Sequence, residues 1–347
     1  MINLPVTFNP GPSYLTADTL RGIQEIAASG FLSLSHRSDN FSEVSKKAID
    51  GLRKQLRIPN HFRIFYQFSA TAAMDTLLRN LVRKKSFHFV HGAFSKLYHS
   101  TAEEIGLTAL AYEPLWDQAI AWDKVKIDAD VELIAITHNE TATGLMWPHK
   151  ELQGIRKAYP SPLIAVDVTS TFGSVNMDWE DADVWFGSVQ KCLGLPSGLG
   201  YLIVNPRAYE IGIKAKGLSS WQSFAYLDEK MKLYQTPETP NMMAIALLAR
   251  KMENWDLAEI EKSRDLKAKL LYEAPLEWKP YVQSKEWRSS TVPNFLVNDS
   301  MAWKKKALEA NMILGDGYGP LNPIAIRIAN FPAINPAHIE SLISVLK

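Results

Sequence analysis

Asp183-Val-Trp-Phe-Gly-Ser-Val-Gln-Lys191-Cys-Leu-Gly-Leu-Pro-Ser-Gly-Leu-Gly200, with the apolar run Tyr201-Leu-Ile-Val204 after it, is the stretch that decides the fold. Residues 183–187 predict a short strand, and residues 198–204 predict a glycine-led turn into another. Lys191 lies between them among small and apolar residues, where an ammonium is poorly solvated. Burial lowers the pKa of a lysine, and a neutral amine can attack a carbonyl. Lys191 is therefore a candidate for covalent attachment of a carbonyl cofactor.

A carboxylate upstream of this lysine strengthens that interpretation. Ser161-Pro-Leu-Ile-Ala-Val-Asp167-Val-Thr169 is an apolar strand that ends in an acid and is followed by hydroxyl residues. Pyridoxal phosphate (PLP) is an electron sink only while its ring nitrogen stays protonated, and this requires a fixed carboxylate. An aspartate at the end of one strand and a lysine after the next meet that need. The alternatives, a surface lysine and an Asp167 that only caps a turn, stay open on these residues alone.

Strands alternate with helical connections over the first two thirds of the chain. Such alternation predicts a mostly parallel sheet with helices on both faces. Ligands of these sheets bind beyond the carboxyl ends of the strands. The candidate residues that follow predicted strands in this way are Ser69, Phe94, Thr141, Asp167 and Lys191.

The character of the chain changes after residue 204. Residues 218–236 are aromatic and predict a loop, and residues 241–252 and 256–273 predict long helices. Strands near 292–297 and 324–329 predict a smaller α+β domain. We therefore predict a large domain over residues 16–240 and a small one over residues 241–347, joined by the N-terminal segment 1–15.

Composition and charge argue against nucleic acid as a partner and against a disulfide-stabilised protein. The 347 residues carry 38 basic and 37 acidic side chains, a net charge of +1, without a basic stripe that would favour nucleic acid. The single cysteine, Cys192, excludes an internal disulfide and suits a reducing compartment. We expect no signal peptide, no membrane span, no metal ligands and a cytoplasmic location.

Two motifs carry a family resemblance. Asp-Val-Thr-Ser-Thr at 167–171 and Gly-Ser-Val-Gln-Lys at 187–191 resemble the class V, fold-type I PLP-dependent aminotransferases, and the likeness extends from Asn9-Pro-Gly-Pro12 to Arg327-Ile-Ala-Asn330. Within this class the chain is most similar to the phosphoserine aminotransferases. The resemblance implies an α/β fold with a mostly parallel central sheet and a smaller α+β C-terminal domain. It also implies a homodimer with shared active sites, and transamination of O-phospho-L-serine and 2-oxoglutarate in serine biosynthesis.

The resemblance also implies roles around the cofactor ring. Lys191 matches the lysine that forms the Schiff base and moves the substrate proton, and Asp167 matches the partner of the pyridinium nitrogen. Thr141 matches the hydroxyl near the ring phenolate, and Thr169 is close to the ring. Phe94 matches the aromatic residue that stacks on the ring, although plain core packing explains it equally well without the resemblance.

Phosphate and substrate contacts follow from the same resemblance. Ser69 also fits an ordinary helix N-cap, and an adjacent histidine and arginine on a polar loop also fit a solvated surface. The residues matched to the phosphate are Ser69, Ala70, Thr71 and Gln190, with Gln235 and Thr236 from the partner subunit. The residues matched to the substrate are Arg327 for the α-carboxylate, with His36 and Arg37 reaching its distal anionic group across the dimer.

Departures from the phosphoserine aminotransferase pattern keep the substrate open. Ala70-Thr71 stands where those enzymes commonly have Gly-Arg, and Gly315-Asp-Gly-Tyr-Gly-Pro320 stands where many have a histidine. The second segment is also similar to the alanine–glyoxylate and serine–glyoxylate aminotransferases, which form the alternative. Ser188-Val-Gln-Lys191 fits the S-x-x-K pattern of acyl-enzymes, but their Lys-Thr-Gly motif does not occur in the sequence.

Overall fold

The computed structural model describes residues 5–347. Residues 1–4 lie outside the described part. They belong to the predicted N-terminal segment and to the stretch in which we expect no signal peptide. None of the helices within residues 5–347 has both the length and the hydropathy needed to cross a bilayer.

Strands and helices alternate over most of the described chain. The strands are β1 (Val6–Phe8), β2 (Arg63–Gln67), β3 (Lys85–Phe89), β4 (Thr108–Tyr112), β5 (Leu133–Thr137), β6 (Asn139–Glu140), β7 (Leu145–Met146), β8 (Leu163–Asp167), β9 (Val184–Ser188), β10 (Gly200–Val204), β11 (Trp278–Pro280), β12 (Asn294–Val297), β13 (Met312–Asp316) and β14 (Ala325–Arg327). The helices are α1 (Ala17–Ala28), α2 (Asp39–Leu56), α3 (Ala70–Leu81), α4 (Ala93–Glu104), α5 (His149–Ala158), α6 (Pro206–Gly212), α7 (Phe224–Met231), α8 (Met242–Met252), α9 (Leu257–Tyr272), α10 (Ser300–Glu309) and α11 (Pro336–Leu346).

The central sheet has seven strands in the order β2-β10-β9-β8-β5-β3-β4. Pairing is parallel from β9 through β8, β5 and β3 to β4, and β10 runs antiparallel to both of its neighbours. The carboxyl ends of β2, β3, β5, β8 and β9 therefore share one edge. The predicted fold class, α/β with a mostly parallel sheet, is confirmed.

The sheet separates two hydrophobic cores because successive side chains of a strand point to opposite faces. In β9, Trp185 packs into one core while Val184 and Phe186 pack into the other. In β10, Tyr201 and Ile203 face the first core, and Leu202 and Val204 face the second. Burial on both faces explains why these strands are almost continuously apolar in sequence.

A second sheet has five strands in the order β1-β13-β14-β12-β11. β1 lies parallel to β13, so the N-terminal segment joins the sheet formed by the C-terminal residues. Residues of α8, by contrast, including Ile245 and Leu248, belong to the core of the central sheet, where α8 packs against α2. The division into residues 16–240 and residues 241–347 with residues 1–15 stays a prediction.

The loop predicted for residues 218–236 is wrong over α7 (Phe224–Met231). Phe224 and Leu227, spaced three residues apart, are buried in the second core of the central sheet. Contacts with β2 and α6 stabilise this short helix. Its eight residues give too little periodic signal for a helix to stand out from the surrounding aromatic residues.

Candidate active site

Lys191 and Asp167 meet at the edge where the parallel strands end. Asp167 is the last residue of β8, and Lys191 follows β9 by three residues. Since β8 and β9 are adjacent and pair Asp167 with Phe186, their carboxyl ends bring the acid and the amine to the same place. The order of strands therefore creates the pair that the sequence predicts.

The Lys191 ammonium lies in a buried polar setting. Its Nζ is 3.4 Å from the Thr141 hydroxyl and 4.8 Å from the centre of the Phe94 ring. Burial lowers the pKa of Lys191, and the carboxylates of Asp167 and Glu140 oppose that shift. The net effect lowers the pKa of Lys191, so its ammonium loses a proton more readily than that of a solvated lysine.

Thr169 fixes the carboxylate of Asp167. Its backbone N–H and its hydroxyl donate to Asp167 Oδ1 over 2.8 and 2.5 Å. Burial raises the pKa of Asp167, whereas the two hydrogen bonds from Thr169 lower it. Because both donors lie on Oδ1, the second oxygen keeps its acceptor capacity for another group.

The start of α3 forms a cup of hydroxyl groups. Ser69 caps this helix by accepting from the Ala72 N–H at 3.1 Å, and Ser188 Oγ accepts from the Ala70 N–H at 2.6 Å. A Cβ on Gly200 would lie 2.6 Å from the Ser69 carbonyl carbon, so glycine is needed where β10 passes this turn. The positive end of the helix dipole and the surrounding hydroxyls suit a phosphate.

The Arg327 guanidinium is held on three sides. Nε donates to the Asp316 carbonyl at 2.5 Å, and Nη1 donates to the Thr141 carbonyl at 3.3 Å. The Tyr318 ring covers one face of the guanidinium, with its centre 5.4 Å from Cζ. Arg327 is buried, and the Nη2 end of its fork remains available for a carboxylate.

A cavity between these elements brings most of the predicted cofactor residues together. Three further polar atoms around it fit a polar ligand: Thr137 Oγ1, Asn139 Oδ1 and Gln190 Oε1 are buried without a hydrogen-bond partner among the described residues. Buried polar atoms are costly to leave unpaired, so this lining fits a phosphorylated pyridine ring. The predicted residues that line the cavity are Ser69, Ala70, Thr71, Phe94, Thr141, Asp167, Thr169, Gln190 and Lys191.

The residues expected to act across a dimer form a separate cluster in the single chain. Arg37 donates to Gln235 Oε1 at 3.2 Å and to the Pro237 carbonyl at 3.0 Å, and neither Arg37 nor Gln235 lines the cavity. His36 and Thr236 are likewise outside the set of cavity-lining residues. The Arg37 guanidinium and the Gln235 amide thus lie next to each other, and neither lines the cavity that contains Lys191 of the same chain.

Sequence reasoning assigned no role to several residues that shape the site. Glu140 is fully buried beside Thr141, and Tyr318 packs between Arg327 and Phe94, with its ring centre 5.9 Å from that of Phe94. Ser188 was predicted only within an acyl-enzyme pattern, but its hydroxyl braces the start of α3. One signal in the sequence could have pointed to them: each of these three residues lies within nine positions of a predicted site residue along the chain.

Comparisons with known proteins agree with this geometry. The family model described as aminotransferase class-V matches residues 6–307. The phosphoserine aminotransferase of Rhodococcus jostii (strain RHA1) is 28% identical over 353 residues, covering 96% of this chain and 92% of the relative. The crystal structure of a phosphoserine aminotransferase from Cytophaga hutchinsonii is 33% identical, with a TM-score of 0.95 and 99% of each chain covered. An alanine–glyoxylate aminotransferase from Nostoc sp. shares the fold at 19% identity, with a TM-score of 0.84, 100% of this chain and 95% of the other covered.

The fold and the lysine–aspartate cavity define a PLP-type aminotransferase. The chain belongs to the aminotransferase class-V family and is an enzyme. Among its relatives are phosphoserine aminotransferases that match it over nearly its whole length.

Proposed function

We propose that this enzyme transfers the amino group of O-phospho-L-serine to 2-oxoglutarate, reversibly, as a step of serine biosynthesis. The observation that carries the proposal is that Lys191 and Asp167 line one cavity, while Arg327 is held by the carbonyl of Thr141, a residue of the same lining. The relatives named phosphoserine aminotransferase, at 28% and 33% identity over almost the full chain, support this choice of substrate.

PLP is the cofactor that the lining fits, and when bound it accepts the electron pair released at the substrate Cα. Asp167 would hold the proton of the ring nitrogen, with Thr169 fixing the carboxylate. The hydroxyl cup at the start of α3 would hold the phosphate, and Phe94 would cover one face of the ring. These assignments use the groups that the cavity presents.

Lys191 is the base in this proposal. Its amine takes the proton from the substrate Cα and returns a proton to the Cα of the acceptor in the second half of the transfer, and burial favours the neutral amine by lowering the pKa of Lys191. Thr141 accepts from Lys191 Nζ and orients the amine. Arg327 orients the substrate through its α-carboxylate, because Asp316 and Thr141 hold the guanidinium in place.

The alternative is an alanine– or serine–glyoxylate type of aminotransferase. Tyr318, an aromatic residue, packs over Arg327, and Ala70-Thr71 adds no charge at the phosphate cup. Fewer cations near the substrate favour a smaller, less anionic amino donor. This alternative needs no change in the roles of Lys191 and Asp167.

A donor and acceptor screen separates the two. We expect kcat/KM for phosphoserine with 2-oxoglutarate to exceed that for alanine or serine with glyoxylate by about 10²-fold or more, because a site that pairs a dianion rejects an uncharged analogue strongly. The measurement is a steady-state assay of both pairs with one preparation of holoenzyme. Greater activity with glyoxylate would contradict the proposal and would favour an alanine– or serine–glyoxylate aminotransferase.

The proposed homodimer has a sharper test, because its sites are shared. In the proposal His36, Arg37, Gln235 and Thr236 reach the partner's cavity, and the first two bind the distal anionic group of the substrate. Lys191→Ala and Arg37→Ala would each be inactive with phosphoserine. When the two variants are unfolded, mixed and refolded, random pairing would give hybrid dimers with one intact site each, and about a quarter of wild-type activity.

Each variant refolded alone provides the control for this mixing experiment. A mixture that stays as inactive as the separate variants would show that Lys191 and Arg37 act within one chain, or that Arg37 only ties Gln235 to its own subunit. The quantity to measure is phosphoserine-dependent glutamate formation as a function of the mixing ratio.

A further inference from the structure

Glu140 is a buried acid that the reaction scheme does not use. Its side chain is fully enclosed at the end of β6. Among the described residues, no lysine, arginine or histidine nitrogen lies within 4.0 Å of its carboxylate. Buried carboxylates without an ion pair need hydrogen-bond donors, since leaving such a group unpaired is expensive.

Four donors surround the Glu140 carboxylate. Oε2 accepts from the backbone N–H groups of Phe94 and Ser95, each at 2.9 Å, and from the Ser95 hydroxyl at 3.2 Å. Oε1 accepts from the Ala142 N–H at 3.1 Å. One carboxylate thus joins the start of α4 to the segment that follows β6.

Glu140 supplies the cap that α4 lacks. The N-cap position of this helix is Gly92, which has no side chain to accept from the first turn. A Cβ on Gly92 would lie 2.5 Å from Cδ of Glu140, so the carboxylate occupies the space that a local cap would use. An acid at a helix N-terminus is favoured by the dipole and by charge-assisted hydrogen bonds.

Both segments joined by Glu140 carry residues of the cavity. On one side, Phe94 lies in the first turn of α4, with its ring centre 4.8 Å from Lys191 Nζ. On the other side, Thr141 contacts Lys191 Nζ through its hydroxyl and Arg327 through its carbonyl. A shift of either segment would therefore move groups that face the lysine.

We propose that Glu140 is a positioning residue, which locks the first turn of α4 to Thr141 and so fixes Phe94, Lys191 and Arg327 relative to one another. It touches no substrate in this role and acts only through these neighbours. The inference rests on the proposed role of Lys191. The hydrogen bonds from α4 and from the Ala142 N–H to Glu140 do not depend on which substrate the enzyme uses.

The test is Glu140→Gln in the holoenzyme, because the amide turns one acceptor into a donor that faces N–H groups. We expect the backbone amides of Phe94 and Ser95 to exchange with solvent about 10-fold faster or more. The visible circular dichroism of the bound cofactor would weaken as Phe94 loses its orientation. kcat would fall by about 10²-fold, with little change in KM for the donor, since misplacement acts on the reacting geometry.

Glu132 provides a matched control. Its Oε2 accepts from the N–H groups of residues 83–85 at 2.8, 2.7 and 3.2 Å, and it does not line the cavity. Glu132→Gln would speed exchange at residues 83–85 and leave the visible circular dichroism and kcat unchanged. A similar fall in kcat in both variants would overturn the positioning role, because the loss of hydrogen bonds from any glutamate to backbone N–H groups would then be enough to lower kcat.

Gly92→Ala gives a second route if Glu140→Gln does not fold. The added methyl group would push the Glu140 carboxylate away from α4 without removing its charge. We expect the same pattern of faster exchange, weaker dichroism and lower kcat. Normal kcat and dichroism in a variant whose Phe94 and Ser95 amides exchange faster would refute the inference, whereas failure of the substrate proposal would leave the exchange result intact.

Discussion

Lys191→Ala should lower kcat for transamination by about 10⁴-fold or more, the largest loss expected of any single substitution in this chain. The change removes both the amine that would bind the cofactor covalently and the base that would move the Cα proton. The local packing should survive, because within residues 5–347 the Lys191 amine makes its one hydrogen bond to the Thr141 hydroxyl. The measurement is kcat with the best donor–acceptor pair, supported by the visible spectrum of the purified variant.

Two comparisons make the Lys191 result specific. Lys96→Ala removes an exposed lysine from α4, two residues after the cavity-lining Phe94, and should keep wild-type activity. Added methylamine should restore part of the lost rate in Lys191→Ala, because a small amine can occupy the space left by the side chain and accept the proton. Activity within tenfold of wild type in Lys191→Ala would refute the assignment of this lysine as base.

Asp167→Asn should lower kcat by about 10²- to 10³-fold, the range seen when one preorganised electrostatic partner is removed. The amide is close in size to the carboxylate, and its oxygen can still accept from the Thr169 N–H and hydroxyl, so the turn after β8 should keep its shape. What is lost is the negative charge that would keep a proton on the ring nitrogen. Loss of rate without loss of fold is the expected signature.

Asp178→Asn is the matched control for Asp167→Asn. Asp178 lies in the same connection between β8 and β9, where its carboxylate accepts one hydrogen bond among the described residues, from the Glu180 N–H at 3.4 Å. This variant should keep kcat, and both variants should show thermal unfolding close to that of wild type. An Asp167→Asn enzyme with normal kcat would show that the charge of Asp167 is not needed.

Local sequence patterns predicted the main elements well where both faces of a strand are buried. β8, β9 and β10 are apolar runs bounded by polar or glycine residues, and the structure places each within two residues of its predicted bounds. The helix at residues 224–231 was missed because its stability comes from Phe224 and Leu227 packing under β2, which is a contact across the fold. Periodicity over eight residues carries little information against such tertiary packing.

The residues of the site divide in the same way, into those that local sequence predicts and those that depend on tertiary contacts. Asp167 and Lys191 could be found from sequence because their chemistry is rare in such settings and because Asp167 ends an apolar strand while Lys191 lies three residues after the next one. Glu140 and Tyr318 could not be assigned, because their roles depend on which distant residues they meet: Glu140 bonds to α4, and Tyr318 covers Arg327. Arg37 and Gln235, far apart in sequence, form a pair that only the folded chain reveals.

The order of residues alone determined an alternating α/β chain with an aspartate at the end of one apolar strand and a lysine after the next, because hydrophobic period and residue chemistry are local properties. Only the tertiary structure decided which carboxyl ends share an edge, what holds each catalytic candidate in place, and which predicted residues stay outside the cavity of their own chain. Those outcomes follow from strand order and long-range packing, and no short stretch of the sequence encodes them.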